Sequence, residues 1–462
     1  MDNSLEIFND IAKKLLAVEK QQPVAEYISS DELFDKLDLS LSEEPIDAVR
    51  FKNALQDLIL NTPRTATHGF FNQLFGGRNE KAVLGELLAV MLNNSMYTYK
   101  AAGAQVGIEK VLISELCNII GWDKNAGGTF ALGGSMTNFM SMLMARDSYN
   151  INIKNEGIGQ EVLTVYTSIE SHYSIAKNAS FSGIGRANVQ NIATDKFGRI
   201  SITDLRNTIE HDIEIGKKPI LVNLTAGTTV LGAFDPIEEI AYLCKKHNIW
   251  LHLDGAYCGS VIFSNKYKDL IKGVSLVDSF SLNAHKMIGT PLTCSLILVK
   301  DKLNLLDSFS NEADYLYQSD KDEFNLGKTS LQCGRRNDAL KFWTLWKSIG
   351  SNGLETIVNK QFELANIARN YIKNNEDYSF YGLENSISVC FNYKDIPAKH
   401  LCTQLYHKSQ LLVGYGSFQG DEFVRLVTIN SQNEQEDILN FFKTIEEFVE
   451  VNIKEDMTEL SL

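Results

Sequence analysis

Basic charge is in short supply in this chain of 462 residues: 44 Lys plus Arg face 58 Asp plus Glu, a formal net charge of −14. Such a balance repels nucleic-acid phosphates and anionic membrane surfaces, so no nucleic acid and no membrane is expected among its partners. Long apolar runs are missing as well, and none approaches the ~20 residues that a membrane helix requires. The opening Met1-Asp2-Asn3-Ser4-Leu5-Glu6 has neither the basic start nor the apolar stretch of a secretory signal, and the expectation is a cytoplasmic protein. Cysteine is sparse and unpatterned. Its seven copies, at 117, 244, 258, 294, 333, 390 and 402, are odd in number, widely spaced and form no C-x-x-C pair. That argues for reduced thiols and against a zinc site, and no metal is expected. No internal repeat or low-complexity linker interrupts the chain.

What is present describes a soluble globular protein, with 44% hydrophobic and 22% charged residues and a length that calls for two or three packed units. Residues 1–72 carry helical apolar spacing (Leu5, Phe8, Ile11, Leu15, then Phe51, Leu55, Leu58, Ile59) broken around Pro23 and Pro45. This reads as a helical arm whose apolar face must be covered by the body of the chain or by a second subunit. Residues 73–340 alternate helical stretches with short β-branched runs at 162–166, 219–224, 249–253, 278–282 and 295–299. Near-continuous apolar strands separated by helices predict an α/β domain with a mostly parallel sheet covered on both faces. Residues 341–462 change to helices at 339–348 and 354–373, strands at 386–393 and 423–429, and a last helix at 434–450, which predicts a smaller α+β domain.

Ligands bind at the carboxyl ends of parallel strands, and Thr225, Asp254 and the pair His285-Lys286 each fall just past such an end. A lysine and an acid so placed can hold pyridoxal phosphate. The amine forms a Schiff base with its aldehyde, and the carboxylate keeps its pyridine nitrogen protonated, so that the ring accepts an electron pair. Gly127-Gly128 and Ala131-Leu132-Gly133-Gly134-Ser135 precede an apolar helical stretch at 139–145 and could bring backbone N–H groups to a phosphate, although such turns are also plain loop geometry. His172 could stack on the ring or be an ordinary satisfied histidine. Thr225, in Leu224-Thr225-Ala226-Gly227-Thr228-Thr229, could donate near a phenolic oxygen or serve only as part of a turn. A carboxylate at the end of a buried strand is costly unless paired, and an amine in the same setting loses proton affinity and becomes nucleophilic.

Taken in order, these pieces resemble the group II pyridoxal phosphate decarboxylases, in the branch of glutamate, cysteine sulfinate and aspartate decarboxylases. The resemblance runs over residues 60–450 through Phe70-Phe71-Asn72-Gln73-Leu74, Tyr97-Thr98-Tyr99, Ile119-Ile120-Gly121-Trp122, the stretch 225–236, His252-Leu253-Asp254, His285-Lys286-Met287, Leu331-Gln332-Cys333-Gly334-Arg335 and Phe423-Val424-Arg425. It implies the aspartate-aminotransferase-like fold type I and a homodimer with active sites at the interface. It also implies that Lys286 carries the cofactor, Asp254 pairs with the pyridine nitrogen, His172 stacks on the ring and Thr225 lies near its oxygen. Gly134, Ser135, Asn283 and His285 would surround the phosphate. Tyr315 falls in a segment similar to the family's catalytic loop and would protonate Cα after carbon dioxide leaves.

Two further groups of residues bear on the substrate. Arg425 lies in an apolar strand pattern, where a buried guanidinium needs an anion, and the resemblance assigns it and Gln73 to a substrate carboxylate. Phe75, Ser95 and Tyr97 are similar to what the cysteine sulfinate and aspartate enzymes carry, and the bulk of Phe75 with the Tyr97 hydroxyl favours a shorter acid over glutamate. The expected substrate is therefore aspartate or cysteine sulfinate, with glutamate, or an aromatic or diamino acid, as the alternative. The chain departs from the family at Lys100-Ala101-Ala102-Gly103, at Thr65-Ala66-Thr67-His68-Gly69, and at Gly255, where alanine commonly follows the aspartate.

Overall fold

The structure, a computed structural model, describes residues 2–21, 24, 26–311, 321–430 and 432–453. The chain divides into two compact units: Arg78–Glu363 with Gly382–Ser388, and Met1–Gly77 with Leu364–Tyr381 and Val389–Leu462. A short strand, β1 (Phe70–Phe71), precedes seven strands of one sheet: β2 (Gly127–Ala131), β3 (Leu163–Ser168), β4 (Val189–Ile192), β5 (Lys218–Thr225), β6 (Trp250–Gly255), β7 (Ser279–Asn283) and β8 (Ser295–Val299). Four more follow, β9 (Tyr378–Phe380), β10 (Ser388–Tyr393), β11 (Leu412–Phe418) and β12 (Asp421–Val427).

The larger unit holds the seven-stranded sheet in the order β2-β8-β7-β6-β5-β3-β4. Pairings among β3 to β7 are parallel, and β8 runs antiparallel to both β7 and β2. Every residue of β3, β6, β7 and β8 is buried, as strands covered on both faces require. The crossover from β5 to β6 shows why the helices form. Ile237–His247 begins with Glu238 and Glu239 and ends with Lys245, Lys246 and His247, charges that complement the helix dipole. Asn248 closes it in the left-handed conformation, with φ of 55°. Its inner face buries Ile237, Ile240, Ala241, Leu243 and Cys244, each large aliphatic residue contributing roughly 1.5–3 kcal/mol.

One expectation for this unit is corrected. Gly127 and Gly128 do not form a loop before the helix but open β2, where they pair with Val299 and Leu298 of β8; tertiary pairing overrides the poor strand propensity of glycine. The edge strand β4, half-exposed and polar at Gln190 and Asn191, has none of the apolar signature of its neighbours. The predicted helices at 339–348 and 354–373 are realised as Asp338–Lys373, interrupted at Gly350, where φ is 68°.

The smaller unit holds the second sheet, ordered β1-β11-β12-β10-β9. Its core includes Val389, Phe391, Val424, Leu426, Phe441, Phe442 and Ile445. The helix Gln435–Phe448 starts with a capping box between Glu434 and Asp437, which satisfies two otherwise orphaned N–H groups. The N-terminal residues form helices Asp2–Gln21 and Ala48–Leu60, the second capped by Asp47 accepting from the N–H groups of Val49 and Arg50. Leu5, Phe8 and Leu16 on the first and Val49, Phe51 and Leu58 on the second remain exposed. The strand β11 and the helix Ala398–His407 were not anticipated from the sequence.

Candidate active site

Strand register assembles this site. Thr225 of β5 pairs with Asp254 of β6, and Asp254 pairs with Ser281 of β7, so residues far apart in the chain stand side by side at the carboxyl ends of three parallel strands. The helix Gly134–Tyr149 begins beside them. Gly134 fits because it lacks a side chain: a Cβ there would meet the Ala256 Cβ at 2.9 Å and the Asn283 amide at 3.1 Å.

Asp254 is buried, so its carboxylate must be supplied with donors. Asn138 Nδ2–H donates to Oδ2 at 2.7 Å, while Oδ1 accepts from the Ala256 backbone N–H at 3.0 Å and the Ser281 hydroxyl at 3.4 Å. Gly255, the departure from alanine, is dictated by this packing, since a Cβ would stand 2.5 Å from the Ser281 carbonyl oxygen.

Lys286 lies in the turn after β7, its N–H bonded to the Asn283 carbonyl at 3.1 Å. Burial lowers the proton affinity of its amine, against the opposing pull of the Asp254 carboxylate. A larger neutral fraction makes it a better nucleophile. Its Nζ stands 6.0 Å from the centre of the Tyr257 ring, whose hydroxyl is 2.9 Å from Ser388 Oγ. His285 is held by the Cys294 N–H, which donates to Nδ1 at 3.0 Å, and burial with the nearby Lys286 charge lowers its pKa to about 4.

His172 is fixed from below. Its Nδ1 accepts from the Ser174 backbone N–H at 3.2 Å and lies 2.8 Å from the Ser174 hydroxyl, and burial keeps the imidazole less basic than usual. Thr225 is tied through its backbone N–H to Asp235 Oδ2 at 2.8 Å, and Asp235 Oδ1 accepts from Ile200 N–H at 2.7 Å. Burial pushes the Asp235 carboxyl up to about 7.

The residues assigned by sequence to a cofactor, Gly134, Ser135, His172, Thr225, Asp254, Asn283, His285 and Lys286, all line one cavity of about 150 Å³. Asn138, Gly227, Thr229, Ala256 and Tyr257 line it too and were missed. Asn138 carries a signal in hindsight: it is polar at the head of an apolar helix and four residues from Gly134, hence on the same face. The residues assigned to substrate are not in this cavity. Ser95 and Tyr97 belong to the same unit, where Ser95 Oγ accepts from Arg335 N–H at 3.4 Å and the Tyr97 carbonyl accepts from Gly327 N–H at 2.8 Å. Gln73, Phe75 and Arg425 belong to the other unit. There Gln73 is exposed, Phe75 packs 5.9 Å from the Phe70 ring, and Arg425 donates from Nη2 to the Asn72 carbonyl at 3.1 Å. Tyr315 lies outside the described residues.

The cavity suits an aromatic phosphate ester bearing an aldehyde. The N-terminus of a sixteen-residue helix offers backbone N–H groups to a phosphate. The Asn283 Nδ2 amide, a donor, stands 3.1 Å from the place a Cβ on Gly134 would take, so the space left open by Gly134 has a donor on its wall. The amine of Lys286 and the carboxylate of Asp254 complete the set. Fold and cavity together define a pyridoxal phosphate enzyme of fold type I. A family model described as the pyridoxal-dependent decarboxylase conserved domain matches residues 31–394, and the chain belongs to that family, with pyridoxal 5'-phosphate as its cofactor. The chain is 35% identical over 447 residues to acidic amino acid decarboxylase GADL1 of Bos taurus, covering 92% of this chain and 86% of that protein. It is 36% identical over 375 residues to cysteine sulfinic acid decarboxylase of Rattus norvegicus, covering 80% and 76%. The crystal structure of mouse CSAD superimposes with a TM-score of 0.91 at 30% identity, over 96% of this chain and 98% of that one.

Proposed function

We propose that this decarboxylase removes the α-carboxylate of a small acidic amino acid, aspartate or cysteine sulfinate in preference to glutamate. The observation that carries the reaction is the single cavity in which the Lys286 amine and the hydrogen-bonded Asp254 carboxylate stand together. The names of the relatives support the acidic class. So does Arg425, a half-buried guanidinium whose fork suits a distal carboxylate or sulfinate.

Bound pyridoxal phosphate supplies an aldehyde for an amine and a ring that takes up the electron pair left when carbon dioxide departs. The chain's own groups do the rest. Lys286, its proton affinity lowered by burial, would carry the cofactor through Nζ and give way to the substrate amine. Asp254, its oxygens held by Asn138, the Ala256 N–H and Ser281, would pair with the ring nitrogen. His172 would cover one face of the ring and exclude water, and the Thr225 hydroxyl would donate to the ring oxygen. Gly134, Ser135, Asn283 and His285 take the phosphate. Tyr315 delivers the proton to Cα, and Gln73, Phe75, Ser95, Tyr97 and Arg425 select the side chain. A decarboxylation panel of aspartate, cysteine sulfinate, glutamate and an aromatic acid tests the reading; a preference for the aromatic acid ends it.

The working form is a homodimer. Leu84, Leu87, Leu88, Val90, Met91 and Leu92 are exposed along one helix, Glu80–Leu92, a patch that a second copy would cover. Light scattering at a monomer mass of 51.8 kDa would contradict it. The cytoplasm is its compartment: none of the seven cysteines is paired, and no helix among the described residues is long and apolar enough to cross a membrane.

A further inference from the structure

Asn138 stands where several buried groups of the larger unit meet, and their donors and acceptors admit one arrangement. Trp250 Nε1–H is a donor only, and it donates to Ser279 Oγ at 2.9 Å. Ser279 Oγ is 2.8 Å from His252 Nδ1 and 2.9 Å from Ser141 Oγ, and His252 Nε2 is 3.1 Å from Asn138 Oδ1. An amide oxygen only accepts, so His252 carries its proton on Nε2. Its Nδ1 then accepts from the Ser279 hydroxyl, and Ser141 donates to Ser279.

On its other side, Asn138 Nδ2 donates to Asp254 Oδ2 at 2.7 Å and to Ser174 Oγ at 3.2 Å. Ser174 is thereby left to donate its hydroxyl to His172 Nδ1 at 2.8 Å. Turning the amide over would press its oxygen against a carboxylate oxygen, so the Asp254 charge fixes its direction. Asn138, Ser174, His252 and Ser279 are all buried, and water does not compete for these bonds.

The geometry points to Asn138 as a positioning residue for the decarboxylation: one carboxamide locks the Asp254 carboxylate and braces the Ser174 hydroxyl that, beside the Ser174 backbone N–H, holds His172 Nδ1, so that both groups assigned to the cofactor ring are set together. This rests on the roles proposed for Asp254 and His172. A bystander that merely filled space would tolerate an isosteric replacement. A hub of this polarity would not, because Asn138→Asp turns the donor into a second carboxylate 2.7 Å from the first.

Asn138→Ala is expected to lower kcat roughly 10- to 100-fold with KM within about twofold, as loss of an orienting partner does elsewhere. Asn138→Asp is expected to fall lower still. Its holoenzyme should also shed cofactor on gel filtration on the order of 10-fold faster than wild type. Asn138→Asp turning over as well as or better than Asn138→Ala, or holding cofactor like wild type, overturns the proposal. If Asn138→Asp does not fold, Ser279→Ala poses the same question further along the chain of bonds: a several-fold loss of kcat at unchanged KM supports the hub, and unchanged kcat overturns it. Asp254→Ala separates the two readings. If that variant keeps both cofactor and turnover, the assignment of the site fails; if it loses them while Asn138→Asp matches wild type, only the hub fails.

Discussion

Asp254 and Arg425 are each a charged residue set into an apolar strand, one in each unit, and the chain treats them differently. Asp254 is buried and surrounded by three donors that hold both of its oxygens. Arg425 is half-buried and reaches a neutral backbone carbonyl, that of Asn72. A carboxylate fixed on all sides suits a resident group that must never move. A guanidinium has a fork that a carboxylate or sulfinate can engage with two bonds, the role proposed for Arg425. The cavity lined by Lys286 and Asp254 lies wholly in the larger unit; of the residues proposed for substrate, Ser95 and Tyr97 belong to that unit and Gln73, Phe75 and Arg425 to the other.

The sharpest test of that contrast begins in the cavity. Lys286→Ala should abolish turnover of every substrate and the borohydride-trappable link between protein and cofactor; residual activity near the wild-type level would refute the site. Asp254→Asn follows, with kcat down on the order of 10²- to 10³-fold for all acids alike, the loss typical of one preorganised electrostatic partner. Steady-state kinetics on two substrates tells a uniform loss from a selective one.

The dryness of the cofactor end has its own signature. Burial holds His252 at a pKa of about 4 against an ordinary 6.5, so between these values the folded chain binds fewer protons than the unfolded one. Its contribution is complete above pH 6.5 and is lost as pH falls towards 4, about 3 kcal/mol in all. His285 acts in the same direction, and Asp235, raised to about 7, acts in the opposite one. The His252 share is therefore read by difference. In urea unfolding, His252→Asn should be less stable than wild type at pH 7 and should lose less on acidification; parallel pH curves would contradict the assignment. Arg425→Lys comes next. Loss of a charge-assisted bond worth roughly 1.5–3 kcal/mol raises KM for acidic substrates about 10- to 100-fold while cofactor affinity stays constant. Equal damage to both would make the residue structural.

The same contrast governs what could be read from the chain. Thr225, Asp254 and Lys286 were legible because each ends an apolar run, and strand ends are where parallel sheets place ligands. Asn138 was not, because its partners His252 and Asp254, both in β6, lie 114 and 116 residues away, which no linear pattern encodes. The strand β11 hid behind Gly414, Gly416 and the exposed Tyr415, and β4 behind its polar edge. In both, pairing with neighbours outweighs weak local preference. Arg425 announced itself as a charge in an apolar strand, but the Asn72 backbone carbonyl that it reaches leaves no trace in residue identity.

The smallest expected effect concerns Tyr97, which resembles the residue of the shorter-acid enzymes. Its ring is half-buried and packs so closely on Gly327 that a Cβ there would stand 2.3 Å from it, so the ring cannot swing towards that side. Tyr97→Phe keeps the ring and removes only the hydroxyl. If that hydroxyl sets the length of the accepted side chain, the ratio of kcat/KM for aspartate over glutamate should fall by no more than about 10-fold, the scale on which pocket shape discriminates between acids one methylene apart. The change should appear in the ratio and leave the absorbance of bound cofactor untouched. An unchanged ratio would move the choice of substrate away from Tyr97 and onto Phe75, Ser95 and Arg425.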